Sequence, residues 1–370
     1  MMKVAVLGAG MVGSAMAIDL ANEYEVTSID ISDSSLQLVK EGNSKIHLLK
    51  HDLKDYSGYA ALLKPYDLII TAVPGFMGYQ TLESVIKSKK DVVDISFFPE
   101  DALELDKLAK ENNVTAIVDC GVAPGISNLV LGYYNERMKI DSFECMVGGL
   151  PKRRKKPFEY KAPFSPVDVI EEYTRPARYV ENGQIVTREA LSDAELIDFD
   201  QPGTLESFNT DGLRSLLFTM GHIPNMKEKT LRYPGHIQLI QALQQAGFFN
   251  TGKIEINGTQ VSPLEFSSRI LIKDWKLQKG EEEFTIMRIK VSGEGKVITY
   301  DLYDEYNKET KTSSMARTTG YTCTAALNLV AIGMFAEKGV FPPEFVGKHE
   351  ACFKFILEYL KERGVVYNIS

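Results

Sequence analysis

Three glycines near the start of the chain constrain its fold more than any other feature. Gly8, Gly10 and Gly13 have the spacing G-x-G-x-x-G, between the apolar run 4–7 and the Ala-rich stretch 14–22. This order predicts a strand, a tight turn and a helix. The first glycine allows the turn, the second lets a ligand approach the backbone, and the third lets helix and strand pack closely. The motif therefore predicts a dinucleotide site, with phosphates at the free N–H groups of the helix N-terminus.

Short apolar runs rich in β-branched residues recur through the first third of the chain. Because they are apolar throughout, they predict parallel strands covered on both faces. The predicted strands are 4–7, 25–29, 46–49, 67–72, 92–95 and 115–118. Helical patterns lie between them, which favours an α/β fold with a doubly wound parallel Rossmann sheet.

The residues after the glycine motif predict how the rest of the dinucleotide binds. Asp30 ends the second predicted strand. Its carboxylate can accept hydrogen bonds from both ribose hydroxyls and would repel a 2′-phosphate, so we expect NAD in preference to NADP. Asp52 is placed to reach the adenine, and Ala72 and Val73 are small enough for the nicotinamide ribose to approach. The predicted cofactor contacts are Gly8, Gly10, Met11, Val12, Gly13, Asp30, Asp52, Ala72, Val73 and Gly121.

The glycines also allow two other interpretations. They could form a simple turn in an α/β domain that binds no nucleotide. They could also belong to a methyltransferase that binds S-adenosylmethionine. Such enzymes have an acidic residue at the end of the first strand, where this chain has Val6 and Leu7.

Composition disfavours several other classes of protein. The net charge of −8 gives no general attraction to nucleic acid or anionic lipid. The apolar stretch 325–336 is too short to span a bilayer. The N-terminus shows no cleavable signal pattern, and the four cysteines are dispersed, so we expect a cytoplasmic protein with reduced thiols. The five histidines are dispersed too, and no metal site is predicted.

The middle of the chain has a different pattern. Residues 284–291 and 296–303 alternate apolar and polar side chains around a Gly-Glu-Gly turn, which predicts an antiparallel hairpin with one buried face. The basic run 152–156 is typical of a solvated loop, although it could attract a polyanion. We expect an α+β domain here.

Several polar segments, together with the glycine motif, resemble the saccharopine dehydrogenase family, and most of all its L-lysine 6-dehydrogenase branch. The segments are 119–125, 148–151, 165–178 and 230–236. The resemblance implies a discontinuous NAD-binding Rossmann domain, residues 1–125 and 318–370. It also implies an α+β domain for substrate binding and dimerisation, residues 126–317, and hence a homodimer.

The implied reaction is NAD-dependent oxidative deamination of the ε-amino group of L-lysine. Its products would be 2-aminoadipate 6-semialdehyde, ammonia and NADH. Three alternatives stay open: a saccharopine dehydrogenase, a carboxynorspermidine-type reductase, and a non-catalytic NAD-binding regulator. Saccharopine carries three carboxylates, so its site would need more cationic donors than a lysine site.

Candidate site residues follow from this chemistry. A base must accept the proton of the amine, and we predict Asp119 or His236 for that role. An arginine suits the α-carboxylate because it binds both oxygens in a fork, and an acid suits the α-ammonium. We assign Arg175 or Arg232 to the carboxylate and Asp211 or Glu172 to the ammonium. The predicted substrate contacts are Ser96, Glu172, Arg175, Asp211, Arg214 and Arg232.

Overall fold

The structure is a computed structural model that describes residues 1–370, apart from the side chains of residues 166 and 167. The strands are β1 (Lys3–Leu7), β2 (Glu25–Asp30), β3 (His47–Lys50), β4 (Leu68–Thr71), β5 (Asp91–Asp94), β6 (Thr115–Ile117), β7 (Ser142–Pro151), β8 (Ala177–Glu181), β9 (Gln184–Arg188), β10 (Glu195–Ile197), β11 (Leu205–Asn209), β12 (Asn225–Arg232), β13 (Ile254–Ile256), β14 (Thr259–Val261), β15 (Glu283–Gly293), β16 (Lys296–Glu305), β17 (Gly339–Phe341) and β18 (Tyr367–Ile369). The helices are α1 (Met11–Leu20), α2 (Asp33–Gly42), α3 (Tyr59–Leu63), α4 (Gly75–Lys87), α5 (Asp106–Glu111), α6 (Ile126–Asn135), α7 (Pro166–Thr174), α8 (Leu216–Thr219), α9 (His236–Gln245), α10 (Pro263–Trp275), α11 (Ser314–Ala331), α12 (Pro343–Gly347) and α13 (Glu350–Glu362).

The first sheet is parallel, in the order β17-β6-β5-β4-β1-β2-β3. It has a hydrophobic core on each face. In β1, Val4 and Val6 point into one core, while Ala5 and Leu7 point into the other. This burial on both faces explains why the strands are apolar throughout. The predicted α/β class and all six predicted strands are confirmed, and β17 is a seventh strand that the sequence analysis missed.

The second sheet is mixed and has nine strands, with the path β10-β11-β12-β7-β15-β16-β18 and with β8 and β9 attached to β12. The predicted hairpin is confirmed as β15 and β16, each longer than expected. One strand pairing differs from the predicted domain division. Strand β18 pairs with β16 of the second sheet, so the end of the chain does not lie in the first domain. The other domain limits stay a prediction.

The C-terminal helices are fixed to α1 by one buried carboxylate. Asp19 accepts hydrogen bonds from Thr324 Oγ1 at 2.6 Å, Tyr359 OH at 2.7 Å and Arg363 Nε at 2.6 Å. Buried carboxylates need such partners, because an unpaired charge away from water is costly. The cluster therefore holds α11 and α13 against the first helix of the parallel sheet.

Two further observations concern the surface. The basic run 152–156 is exposed, and Lys152, Arg154 and Lys156 form ion pairs with nearby glutamates. Within the described residues, no helix has both the length and the apolar character needed to cross a bilayer.

Candidate active site

A cavity of about 1710 Å³ lies between the two sheets, at the carboxyl ends of the parallel strands. Its lining joins the glycine motif and the ends of β2 and β4 to α7 and β12 of the second domain. Ligands of open α/β sheets bind beyond the carboxyl ends of the strands. The cavity is therefore the candidate site.

The glycine motif forms a close-packed turn with one open position. A Cβ on Gly8, where φ is 108°, would lie 2.4 Å from the carbonyl oxygen of Ala72, and one on Gly13 would lie 2.0 Å from that of Gly8. A Cβ on Gly10 would meet nothing within 4 Å. Helix α1 begins there with no side-chain cap and no acid in its first turn. These features fit a dinucleotide whose pyrophosphate lies against Gly10 and the helix N-terminus.

Asp30 lies beside the glycine turn. Its carboxylate accepts hydrogen bonds from the backbone N–H groups of Ala9 and Ser32, both at 2.7 Å. All of the predicted cofactor contacts line the cavity: Gly8, Gly10, Met11, Val12, Gly13, Asp30, Asp52, Ala72, Val73 and Gly121. Their role in binding stays a prediction.

Asp119 follows β6 and lines the cavity, but it is not an isolated base. Arg214 Nε lies 3.0 and 2.9 Å from its two carboxylate oxygens, and both side chains are buried. Arg214 also donates to the carbonyl oxygen of Phe98 and does not line the cavity. The predicted role of Arg214 as a direct substrate contact does not fit this position, because its guanidinium is occupied by Asp119.

Three more arginines, two in the cavity lining and one behind it, are paired with acids. Arg175 binds Glu171 at 2.6 Å and Arg232 binds Glu172 at 3.0 Å. Asp211 accepts Nε and Nη2 of one more arginine, Arg178, both at 2.9 Å. Arg175, Arg232, Glu172 and Asp211 line the cavity, as does Ser96. The structure thus brings together most of the predicted substrate contacts.

Arg232 is held more firmly than Arg175. Only 2% of Arg232 is exposed, and its guanidinium lies 4.4 Å from the ring centre of Tyr160. It donates to Tyr173 OH at 2.9 Å and to the Leu231 carbonyl as well as to Glu172. Arg175 makes one side-chain hydrogen bond among the described residues and is partly exposed, so more of its donors face the cavity.

His236 does not reach the cavity. Its Nε2 lies 2.9 Å from Tyr173 OH and its Nδ1 lies 2.9 Å from the carbonyl oxygen of Phe158, within an aromatic cluster that includes Trp275. Burial, aided by the charge of Arg232, lowers the pKa of His236 to about 3. The predicted role of His236 as a base does not fit this position, and the ring instead supports the tyrosine that holds Arg232.

The predicted substrate contacts left out two acids of the cavity lining, Glu228 and Asp168, although Asp168 belongs to the polar segment 165–178. Burial raises the pKa of Asp168 to about 6 and that of Glu228 to about 8. Among the described residues, neither carboxylate forms an ion pair with an arginine or lysine. A signal for Glu228 does exist in the sequence. In β12 it shares a face with Thr230 and Arg232, so a charged residue lies on the face that turns toward the site.

Asp94 ends β5 behind the cavity lining, and Ser96 follows it at the cavity surface. Asp94 is fully buried, and burial raises its pKa to about 7. Within the described part of the chain, Ser96 Oγ has no hydrogen-bond partner, and it lines the cavity. Among the same residues, no three His, Cys, Asp or Glu side chains are grouped so as to hold a metal ion.

Comparison with known families matches nearly all of the chain. Residues 4–117 match the saccharopine dehydrogenase NADP binding domain, and residues 121–365 match the saccharopine dehydrogenase C-terminal domain. The chain belongs to the saccharopine dehydrogenase family. Membership confirms the resemblance to the family, while its L-lysine 6-dehydrogenase branch stays a prediction. It also favours a dinucleotide over S-adenosylmethionine at the glycine motif.

Named relatives of the family are distant in sequence. The mitochondrial alpha-aminoadipic semialdehyde synthase of Rattus norvegicus is 23% identical, over 99% of this chain and 47% of the relative. The saccharopine dehydrogenase [NADP(+), L-glutamate-forming] of Saccharomyces cerevisiae is 27% identical, over 68% of this chain and 60% of the relative. The chain thus spans less than two thirds of the length of these relatives.

The fold of the family is known from a solved structure. Apo saccharopine dehydrogenase (L-Glu forming) from Saccharomyces cerevisiae has a TM-score of 0.80 to this chain, with 20% identity, over 100% of this chain and 99% of that one. At this identity the likeness shows a shared fold. The shared fold includes the second sheet, since the match covers the whole chain.

Proposed function

We propose that this chain is a dinucleotide-dependent oxidoreductase that acts on the ε C–N bond of a lysine-derived amine. The observation that carries the proposal is that one cavity is lined by the glycine turn, by Arg175 and Arg232, and by the acids Asp119, Glu172 and Asp211. Acids and arginines suit an amino-acid substrate, which carries both ammonium and carboxylate groups. The family to which the chain belongs supports the same chemistry.

In the proposed reaction the ε carbon loses a hydride and the nitrogen loses a proton, so that a C=N bond forms. Water then adds to that carbon and the C–N bond breaks, giving an aldehyde and an amine. A bound oxidised nicotinamide supplies the hydride acceptor. The protein must therefore orient the amine, remove its proton and admit one water.

We assign these tasks to three residues of the cavity lining. Arg175 has donors free to hold the α-carboxylate in a fork. Asp119, whose charge is balanced by Arg214, orients the amine as a hydrogen-bond acceptor. Asp168 accepts the proton, because its pKa of about 6 is nearer to neutral pH than that of an ordinary carboxyl. A Cβ on Gly75, just after β4, would lie 3.6 Å from Asp168 Oδ1, at the end of the sheet where a nicotinamide would lie.

Two substrates share this bond. The names of the relatives support saccharopine, whose oxidation would release glutamate. The charges of the cavity support L-lysine. Of its two lining arginines, Arg232 is bonded through all three nitrogens and Arg175 keeps donors for one carboxylate, whereas saccharopine would bring two carboxylates more than lysine.

The test is turnover by the purified protein with each substrate and each dinucleotide. Formation of reduced nicotinamide with ammonia identifies L-lysine as the substrate, and formation with glutamate identifies saccharopine. No reduction with either amine, from protein that binds the dinucleotide, would overturn the proposal. The carboxynorspermidine-type reductase and the regulator are the interpretations that would then be tested next.

We also propose NAD as the preferred cofactor, a homodimer as the assembly and the cytoplasm as the location. Asp30 supports NAD, although the matched family model and the yeast relative both name NADP. All four cysteines are buried and unpaired, which fits a reducing compartment. Light scattering on the purified protein tests the dimer.

A further inference from the structure

We propose that Glu228 receives a cationic nitrogen of the substrate, namely the nitrogen that is not oxidised. This inference rests on the proposed function, and it assigns a specificity-determining residue to the same cavity. It selects amines that carry a second positive charge at a distance from the reacting carbon.

The first argument is that Glu228 is buried, unpartnered and directed into the cavity. Only 7% of the residue is exposed, yet it lines the cavity. Among the described residues, no side chain or backbone group donates a hydrogen bond to its carboxylate. A buried carboxylate without a partner is costly, so a ligand that supplies one is strongly favoured.

The second argument is the charge around Glu228. The nearby acids are Glu172, Asp211 and Asp119, and the nearby cation is Arg214. Each of these acids already has its own arginine, and Arg214 is bound to Asp119. Glu228 is therefore the member of this cluster whose charge is not balanced within the described residues, and a substrate ammonium would balance it.

Without a ligand, the Glu228 carboxyl avoids the cost of a buried charge by holding a proton. Burial, together with the nearby acids Glu172 and Asp211, raises the pKa of Glu228 to about 8, so the carboxyl holds a proton at neutral pH. An ammonium that enters the cavity favours the ionised form, and the carboxyl then gives up its proton. The resulting charge-assisted hydrogen bond is about twice as strong as a neutral one.

The third argument concerns which nitrogen Glu228 holds. An amine can lose a hydride from its carbon only when its nitrogen is neutral, whereas a facing carboxylate stabilises the charged form. Glu228 is thus suited to a nitrogen that stays protonated. It also belongs to β12 of the second sheet, while Asp119 follows β6 of the sheet that carries the glycine motif.

The local backbone fixes the position of this carboxylate. The carbonyl oxygen of Glu228 accepts the N–H of Thr210 at 3.2 Å, which ties the segment after β11 to β12. A Cβ on Gly212 would lie 2.0 Å from the Glu228 carboxyl carbon. Glycine at 212 therefore leaves the space that the carboxylate occupies.

The experiment compares each substrate with an analogue that lacks only the α-amino group. L-Lysine is paired with 6-aminohexanoate, and saccharopine with its own analogue without the α-amino group. In Glu228→Gln we expect kcat/KM for the parent amine to fall about tenfold or more, and kcat/KM for its analogue to stay within about twofold. Glu255→Gln is the control, because Glu255 is an exposed acid of β13 that does not line the cavity. It should change neither value.

A second variant keeps the charge and moves it. Gly212→Ala should push the Glu228 carboxylate aside. As in Glu228→Gln, kcat/KM for the parent amine should then fall relative to kcat/KM for its analogue. Circular dichroism and thermal unfolding establish that both variants fold. An equal loss for parent and analogue in Glu228→Gln, or no loss for either, would overturn the inference and leave the proposed reaction standing.

Binding provides a readout that does not depend on turnover. Calorimetric titration of each amine into protein loaded with reduced dinucleotide gives the dissociation constants directly. If no amine is oxidised but the parent amine binds more tightly than its analogue, and only with Glu228 present, the proposed reaction fails and the inference stands. If neither parent amine binds to the wild-type protein, both fail.

Discussion

Asp119 and Arg214 form a buried ion pair across the two domains, with Arg214 Nε 3.0 and 2.9 Å from the carboxylate oxygens. Both residues have a left-handed backbone, with φ of 53° for Asp119 and 48° for Arg214. A positive φ is unfavourable for either residue type, so two such residues in one contact indicate that the surrounding structure enforces it. The pair holds the end of β6 against the second domain at the edge of the cavity.

Removing the charge of Asp119 tests the importance of this pair. Asp119→Asn leaves Arg214 buried beside a neutral amide, and we expect the free energy of unfolding to fall by about 3–5 kcal/mol. Urea denaturation measures this change. Glu181→Gln, in the exposed pair with Arg188, is the control and should behave like wild type. Equal stability of the two variants would contradict this account of the pair.

Two glycines of the motif should separate folding from nucleotide binding. Gly13→Ala brings a Cβ to 2.0 Å from a backbone oxygen, so we expect a lower melting temperature. Gly10→Ala meets nothing within 4 Å, so the melting temperature should stay near that of wild type while affinity for the dinucleotide falls at least about tenfold. Thermal unfolding and a dinucleotide titration measure the two effects. Unchanged affinity for the dinucleotide in Gly10→Ala would show that the dinucleotide does not bind at this turn.

Asp30 should determine which dinucleotide binds. Its carboxylate repels a 2′-phosphate, so Asp30→Asn should reduce the ratio of NAD to NADP affinity by about tenfold. Asp33→Asn is the control, since Asp33 is an exposed acid at the start of α2. Titration of both dinucleotides gives the ratio. Tighter binding of NADP than NAD by the wild-type protein would show that this reasoning is wrong.

Asp168 should control the acid side of the pH profile. A protonated carboxyl cannot accept the proton of the amine, so activity should rise with pH through about 6, the pKa to which burial raises Asp168. Asp168→Asn should lower kcat by about 10²- to 10⁴-fold and remove this rise. Glu255→Gln, at an exposed acid outside the cavity lining, should keep this rise. If the rise persists in Asp168→Asn, another group is the base.

His236 should affect stability and leave the pH profile of activity in place. His236→Gln disturbs the contacts with Tyr173 and Phe158, at a cost of about 1–3 kcal/mol. The pKa of His236 is about 3 in the folded protein and 6.5 in the unfolded chain, so the unfolded chain binds a proton first as the pH falls. The free energy of unfolding of the wild-type protein should therefore decrease between pH 6.5 and pH 3. The His236→Gln variant should lack this pH-dependent decrease.

His222→Gln, at an exposed histidine, is the control. Urea denaturation at pH values above and below 6.5 tests the prediction. A shifted pH profile of activity in His236→Gln would show that His236 acts as a base in the reaction.

The parallel sheet could be predicted because its strands are apolar on both faces, a pattern that does not depend on distant residues. The glycine turn could be predicted because each glycine has a local steric reason. Strand β17 escaped prediction because it has three residues and pairs with β6, which lies far away in the sequence.

The site was harder to predict because its charges are set by pairing between distant segments. The sequence shows Arg214 as an available cation, yet Asp119 occupies it from another domain. It shows His236 near Arg232, yet not that aromatic rings bury it. Glu228 carries a local signal, a charge on the inner face of a strand. That Glu228 lacks an arginine partner could not be predicted, because it depends on how Glu172, Asp211 and Asp119 pair with the nearby arginines.

The most direct test of the account is the origin of the transferred hydride. The protein is supplied with oxidised dinucleotide and with L-lysine or saccharopine deuterated at the ε carbon, and the reduced nicotinamide is analysed by mass spectrometry. We predict deuterium in the nicotinamide from the ε-labelled amine and none from the same amine labelled at its α carbons. Deuterium from an α carbon, or reduction without deuterium transfer, would contradict oxidation of the ε C–N bond.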